Sequence, residues 1–400
     1  MDKSGKIQNK PKIGVIILAY IAFIALGMPD GLLGVAWPSV RMSFSIPLDA
    51  VGLLLAVSVI GYLISSFLSG PLITRISIGT LLAGSCTITG AALIGYTFVP
   101  AWWMIILLGF ISGLGAGAID AGLNSYGAAY FHEGLMQWLH ASYGIGVTLG
   151  PLIMTATLTT LNSWRMGYRI VGGFQLLMAI CFALTLPLWI QKEAANRSNK
   201  SKHLTEYKTP LSKTICQYRV WLSLLLFFLY TGSEISLGTW IYTLLVTSRG
   251  VSPDMAGLSV GSYWATFTIG RFTAGLYAKR VGVNLLVLFG LLVALAGILL
   301  LWWNLSNLMN LVAMPLIGFA IAPIFPALVS GTSKRVGVRF ATNTIGMQMA
   351  AAGLGAAAIT GLLGILGRRI SLEVFPFCLT VLFLVLFGLH ILTKKFEVKV

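Results

Sequence analysis

The residues IGVIILAYIAFIALGMPDGLLGVAW, positions 13–37, form a nearly uninterrupted apolar run that contains one acid, Asp30. An α-helix needs about 20 predominantly apolar residues to cross the hydrocarbon core of a bilayer. Lysines precede the run, as in a signal peptide, but the run is too long for one and no small-residue cleavage site ends it. The segment predicts a retained first transmembrane helix.

The composition of the whole chain points to the same environment. Of the 400 residues, 57% are hydrophobic and 10% are charged, and the mean hydropathy is +0.89. A soluble domain carries about 25% charged residues. Because this chain is too poor in charge to cover its own surface, we expect lipid to cover it.

The sequence offers little for catalysis or metal binding. Its four cysteines (Cys86, Cys181, Cys216 and Cys378) are too few and too scattered for a disulfide framework. It contains no metal-ligand spacing, P-loop or nucleophile–base pair. We therefore expect neither an enzyme nor a bound metal or cofactor.

Apolar runs long enough to cross a membrane follow one another along the chain. Because lipid cannot satisfy backbone polar groups, each run is expected to be helical, which predicts an all-α polytopic membrane protein. The twelve predicted spans lie near residues 13–37, 50–73, 78–99, 102–129, 135–161, 168–190, 218–246, 255–277, 283–303, 308–331, 340–366 and 372–393.

The basic residues predict how the chain is oriented. If both termini are cytoplasmic, 20 of the 27 Lys and Arg residues fall in inner segments and 6 in outer loops, while Arg271 lies within a span. This excess satisfies the positive-inside rule for a cell-membrane protein. The net charge of +16 is thus a topology signal rather than a nucleic-acid patch.

One long polar segment, 191–217, divides the chain. It predicts a six-helix bundle over 1–190, a cytoplasmic linker and a second six-helix bundle over 218–400. A faint repeat supports two related halves: GPLITR (70–75) ends span 2 and GLYAKR (275–280) ends span 8. Secondary transporters built from such repeats bind their solutes at the interface of the halves, near the midplane.

The architecture resembles the major facilitator superfamily. The Gly-x-x-x-Asp-Arg-x-Gly motif of that superfamily is partly present: Gly70 and Arg75 match, but Thr74 stands in the Asp position. The segments LHASYGIGVTLGP (139–151), YTGSEISLGTW (230–240) and GFAIAPIFPAL (318–328) resemble the fucose-permease-like sugar:proton symporters. By this resemblance, Asp30 and Asp120 align with the acids that couple protons, the second being a glutamate in fucose permease.

Three acids lie within predicted spans: Asp30, Asp120 and Glu234. Ionisable residues inside a membrane are costly and are therefore functional candidates. Asn124 follows Asp120 by one helical turn, so both project from one face, and together they suit proton and hydroxyl binding. From about 1.5 Å per residue, Asp30 and Glu234 should lie roughly 25 Å from the inner face and Asp120 about 13 Å from it, which favours two separate proton stations.

Each acid also has a structural interpretation. Asp120 could bond to a span 5 backbone group or pair with Arg271. Asp30 could face the outer water, although Pro29 and its neighbouring glycines predict a bent or locally broken helix that lines a cavity. Glu234 and Tyr230 could form a sugar-binding surface, or the carboxylate could be solvated by an outer vestibule.

Three further residues are candidates. Gln348 is an embedded amide that could bind solute. His140 could relay protons or bond within its helical hairpin. Arg271 could contact the solute, but snorkelling to the cytoplasm or fixing a loop carbonyl is favoured.

These features predict a monomeric proton-coupled symporter for a small hydroxylated solute such as a monosaccharide, working by alternating access. Its partners would be solute, protons and lipid, and not nucleic acid. Proton-driven efflux of amphipathic compounds is the alternative, and a non-transporting solute sensor is a second one.

Overall fold

The computed structural model describes residues 13–190 and 211–395, apart from residues 74, 132 and 305. Most of the predicted linker 191–217 and the motif residue Thr74 lie outside the described residues. The division of the chain at that linker therefore stays a prediction. Within the described ranges the chain is helical and shows no β-strand, which confirms the all-α prediction.

The long helices follow the predicted spans closely. In chain order they are α1 (Ile13–Ser43), α2 (Val51–Ile73), α3 (Ile78–Gly95), α4 (Trp102–Tyr130), α5 (Glu133–Leu161), α6 (Trp164–Leu184), α7 (Tyr218–Thr243), α8 (Pro253–Val281), α9 (Val283–Trp303), α10 (Asn307–Ile321), α11 (Val338–Arg369) and α12 (Val374–Lys395). Shorter helical pieces lie at Leu48–Ala50, Leu186–Ile190, Leu211–Ile215, Leu244–Ser248, Ile324–Ser330 and Thr332–Val336.

Serine caps fix the starts of three helices. Ser77, Ser163 and Ser306 precede α3, α6 and α10, and each side chain accepts a hydrogen bond from the backbone N–H three residues later. Such caps satisfy donors that the first helical turn leaves unpaired. The boundaries of these helices are therefore encoded locally.

Eleven helices of the described residues are long and apolar enough to cross a membrane. The predicted span 255–277 is not among them, yet it forms the 29-residue helix α8, about 43 Å long at 1.5 Å per residue. It carries Arg271 in its interior, and it packs against α5 and α10. Its charge lowers its hydropathy without preventing it from joining the bundle.

Helix pairing in the second half repeats that of the first. In the first half α1 packs on α5, α2 on α4, and α3 on both α4 and α6. In the second half α7 packs on α11, α8 on α10, and α9 on both α10 and α12. The helices of the second sequence half thus pair with one another in the same pattern as those of the first.

The halves meet tightly near one end of the bundle. We call the end where α1 begins and α12 ends the termini face, and the opposite end the far face. Near the far face, a Cβ built on Gly34 of α1 would lie 2.3 Å from the Gly238 carbonyl oxygen of α7. Asp49 and Arg368 also form an ion pair of 3.2 Å between the halves. These contacts close the far side.

The first helix is continuous through Pro29, so of the predicted bend or local break the break is absent. Proline lacks the N–H that would bond the carbonyl four residues earlier, here that of Ala25. Gln175 of α6 donates from Nε2 to that carbonyl over 2.9 Å. A neighbouring helix therefore supplies the missing donor, and the neighbouring glycines serve close packing instead of a break.

Candidate functional site

Asp120 of α4 is held by two donors. Tyr62 Oη of α2 donates to Asp120 Oδ2 over 2.6 Å, and Asn124 Nδ2 donates to Oδ1 over 2.9 Å. The predicted one-turn pairing of Asp120 with Asn124 is therefore present. The side chain is partly buried, and no ion pair to it is found among the described residues.

Asp30 of α1 is held in a similar way. Tyr143 Oη of α5 donates to Asp30 Oδ2 over 2.6 Å. Asp30 is nonetheless exposed, and it lies one turn from Gly34 on the termini side of the closed contact. The closed contact at Gly34 and Gly238 therefore lies between Asp30 and the far face.

The two acids belong to one cluster. Asp30 and Asp120 interact electrostatically, and Tyr62 lies close enough to interact with both. In the described residues no hydrogen bond joins the two carboxylates directly. The arrangement of two separate proton stations therefore stays a prediction.

The second half holds the third acid and the embedded base. Glu234 of α7 is 7% exposed, and Arg271 Nη2 of α8 lies 3.8 Å from its Oε1. The Arg271 guanidinium also lies 4.2 Å from the centroid of the Phe267 ring, and its Nε donates to the Ala322 carbonyl over 3.4 Å. Arg271 therefore faces the bundle interior and does not snorkel, because a buried carboxylate and an aromatic face hold it there.

Tyr230 and Gln348 are fully buried. Tyr230 Oη donates to the Ile321 carbonyl over 2.8 Å. Gln348 accepts from Thr332 Oγ1 over 3.1 Å and donates to Ser223 Oγ over 2.7 Å. In this conformation both residues tie α7 to neighbouring segments, and neither side chain is exposed.

His140 lies between the two groups of charges. Its ring packs edge-on against Phe23 of α1 with centroids 5.7 Å apart, and the residue is exposed. It interacts electrostatically with Asp120 on one side and with Arg271 on the other. The charges of both Asp120 and Arg271 therefore act on this side chain.

Tyr62, Tyr143 and Phe267 were missed by the sequence analysis. Tyr62 is 58 residues from Asp120, and Tyr143 is 113 residues from Asp30. Neither pair shares a helix, so no periodicity could connect them. The only available signal was a tyrosine within a span close to a helix that carries an acid.

Comparison with known proteins gives a consistent result. Residues 19–360 match the Major Facilitator Superfamily. The glucose/mannose transporter GlcP of Bacillus subtilis (strain 168) is 22% identical over 357 residues, with 88% of this chain and 87% of the relative covered. The mouse sodium-dependent glucose transporter 1A (Mus musculus) is 23% identical and covers 78% of this chain and 80% of its own.

Solved structures share the fold. A D-xylose-proton symporter superposes with a TM-score of 0.75 at 14% identity, covering 96% of this chain and 97% of its own. Eleven apolar helices, repeated helix pairing and a match over residues 19–360 point to one class of protein. The chain is a membrane transporter, not an enzyme, and it belongs to the major facilitator superfamily.

Proposed function

We propose that this transporter moves a small hydroxylated solute, such as a monosaccharide, together with protons. One observation carries the proposal: Asp30 and Asp120 lie inside the bundle, each receives a 2.6 Å hydrogen bond from a tyrosine, and neither has an ion-pair partner in the described residues. The names of a glucose/mannose relative and of a D-xylose-proton symporter with the same fold support a sugar as solute.

The surroundings of these acids suit a group that gains and loses a proton. Removal from water favours the neutral form of a carboxyl group, whereas a hydrogen bond from a phenol favours its charged form. Because both influences act on Asp30 and Asp120, each can change protonation as water access changes.

Alternating access would then depend on the closed contact at Gly34 and Gly238, which would open at one stage of the transport cycle. Proton and solute would enter when the far face is open, and Asp120 with Asn124 would bind solute hydroxyls. Neutralising the acids would lower the cost of enclosing them and favour closure at Gly34 and Gly238. Release would occur toward the termini face, which we propose is cytoplasmic.

The second half would contribute through Glu234. Since Arg271 compensates its charge, Glu234 is suited to hydrogen bonding more than to proton coupling. Tyr230 and Gln348, also proposed as solute-binding residues, would have to leave their present partners first. His140 would couple the two halves electrostatically, because the charges of both Asp120 and Arg271 act on it.

The test uses purified protein in proteoliposomes and labelled monosaccharides. In wild type, an imposed pH gradient should drive sugar accumulation. Asp120→Asn cannot release a proton, so it should abolish accumulation while counterflow, which needs no gradient, persists. Asp254→Asn is the matched control, because Asp254 is an exposed acid in the first turn of α8. Unchanged accumulation by Asp120→Asn would overturn the coupling assignment, and gradient-driven expulsion of amphipathic dyes without sugar transport would favour efflux.

A further inference from the structure

The second half contains a carboxylate oxygen without a hydrogen-bond partner in the described residues. Glu234 Oε2 is fully enclosed and unpaired, while Arg271 approaches the other oxygen, Oε1. Tyr230 lies close enough to interact with the Glu234 carboxylate, but in this conformation its single hydroxyl proton is donated to the Ile321 carbonyl over 2.8 Å. Leaving a buried carboxylate oxygen unpaired is unfavourable. A donor is therefore expected to reach Oε2 at some stage of the transport cycle.

A second unpaired oxygen lies one turn away on the same helix. Thr231 Oγ1 is also enclosed and has no partner in the described part of the chain. Residues three apart on an α-helix are neighbours on its surface. Glu234 Oε2, which accepts, and Thr231 Oγ1, which accepts and donates, are thus available to the same small polar group.

The helix register places both side chains beneath the closed contact, on the face of α7 that packs against α8. The Gly238 carbonyl touches Gly34 of α1 at that contact, whereas a Cβ built on Gly238 would meet Trp264 of α8. Glu234 and Thr231 lie one and two turns from Gly238 on the same face of α7, toward the termini face. Asp30 lies one turn from Gly34 in the same direction on α1. Glu234 therefore lies on α7 at the level that Asp30 has on α1, one turn beneath the closed contact.

We propose that Glu234 and Thr231 form a subsite that binds one hydroxyl group of a neutral solute. This inference rests on the proposed function and specifies which solutes are accepted. A solute hydroxyl donates its proton to Glu234 Oε2 and accepts a hydrogen bond from Thr231 Oγ1. Because Arg271 already compensates Glu234, no positive charge remains to attract an acid, and a solute carboxylate would be repelled by Oε2. The subsite selects neutral sugars over their uronic acids.

Counterflow measures which solutes the subsite accepts, and it needs no proton gradient. Proteoliposomes containing wild type, Glu234→Gln or Thr231→Val are loaded with D-glucose and challenged with labelled D-glucose against unlabelled competitors. The competitors are the monodeoxy analogues of D-glucose and D-glucuronate. Ser233→Ala is the matched control, since the Ser233 hydroxyl bonds to the Leu229 carbonyl of its own helix. Size-exclusion profiles confirm that each variant is folded.

Wild type should reject D-glucuronate and bind one monodeoxy analogue more weakly than D-glucose. Replacing a charged acceptor by a neutral one should weaken D-glucose binding roughly 10-fold in Glu234→Gln. The analogue that lacks the recognised hydroxyl should bind wild type and Glu234→Gln equally. Thr231→Val should show a smaller loss in the same direction, and Ser233→Ala none.

Two results would overturn the subsite alone: wild-type affinity for D-glucose in both Glu234→Gln and Thr231→Val, or equal competition by D-glucuronate and D-glucose in wild type. Absence of any sugar counterflow by wild type would overturn the sugar assignment together with the subsite. Loss of proton coupling would appear only in the gradient-driven assay of Asp120→Asn. The two proposals can therefore fail separately.

Discussion

Gln175 Nε2 donates a 2.9 Å hydrogen bond to the Ala25 carbonyl, four residues before Pro29. Gln175 is fully buried between α6 and α1. The amide replaces the N–H that Pro29 lacks, and this keeps α1 helical through the turn that presents Asp30. A side chain 150 residues away in sequence thus supports the helix that carries a proposed proton-binding acid.

Gln175→Leu should destabilise the protein, since it leaves a buried carbonyl without a donor at a cost of about 1–3 kcal/mol. Pro29→Ala restores the backbone N–H, so the loss caused by Gln175→Leu should be much smaller in the Pro29→Ala background. Thermal unfolding of the purified wild type, both single variants and the double variant forms a cycle that isolates this coupling. Additive losses would show that Gln175 stabilises α1 by some other contact.

The far-face closure includes one ion pair between the halves. Arg368 Nε lies 3.2 Å from Asp49 Oδ1, and the two side chains are 44% and 21% exposed. Arg368→Gln should therefore shift the equilibrium toward conformations that open at the far face. Because exposed ion pairs contribute about 0.2–1 kcal/mol, the open population should rise by roughly 1.5- to 5-fold.

Spin labels at Leu161 and Ile370, exposed residues at the far ends of α5 and α11, would report that shift as a longer distance population. Arg369→Gln removes the same charge from the adjacent position, where no ion pair is found among the described residues, and should leave the distribution unchanged. High salt should weaken the effect by screening. An identical distance distribution in wild type and Arg368→Gln would show that the ion pair between Asp49 and Arg368 does not stabilise the closed far face.

Much of the fold was predictable because the membrane imposes simple rules on sequence. Apolar length set the spans, and eleven of the twelve helices begin within two residues of the predicted positions. Span 1 was predicted to end at 37, but α1 continues to Ser43, because the polar residues that follow Trp37 remain helical at the far face. Span 10 was predicted as one run, but a turn at Ala322 and Pro323 interrupts it.

The site was less predictable than the fold. Embedded charge identified Asp30, Asp120, Glu234 and Arg271 without any structural information. Their partners could not be identified in that way. Tyr62 and Tyr143 lie on different helices from the acids that they bond, and the contact of Phe267 with Arg271 depends on how the two side chains are oriented. Counting residues along one helix also could not show that Asp30 and Asp120 interact, since their separation depends on how α1 and α4 pack.

A second ion pair ties the loops of the second half together at the far face. Arg249 Nη2 lies 2.7 Å from Glu373 Oε2, and Arg249 also donates to the Leu301 carbonyl and to Asn310 Oδ1. The Arg249 side chain is 2% exposed, whereas that of Glu373 is 41% exposed. The hydrogen bond from Arg249 lowers the pKa of Glu373 below its ordinary value.

Because the pKa of Glu373 is lower in the folded state than in the unfolded state, this pair stabilises the fold above the unfolded value of about 4.3 and the contribution is lost as pH falls below it. Glu373→Gln should therefore melt at a lower temperature than wild type at pH 7, and the difference should shrink as pH drops below about 4. The effect should be modest, because water screens the exposed carboxylate. Asp254→Asn is the control, as no ion pair to Asp254 is found in the described residues. A melting difference that stays constant with pH would mean that Glu373 acts through its packing and not through its charge.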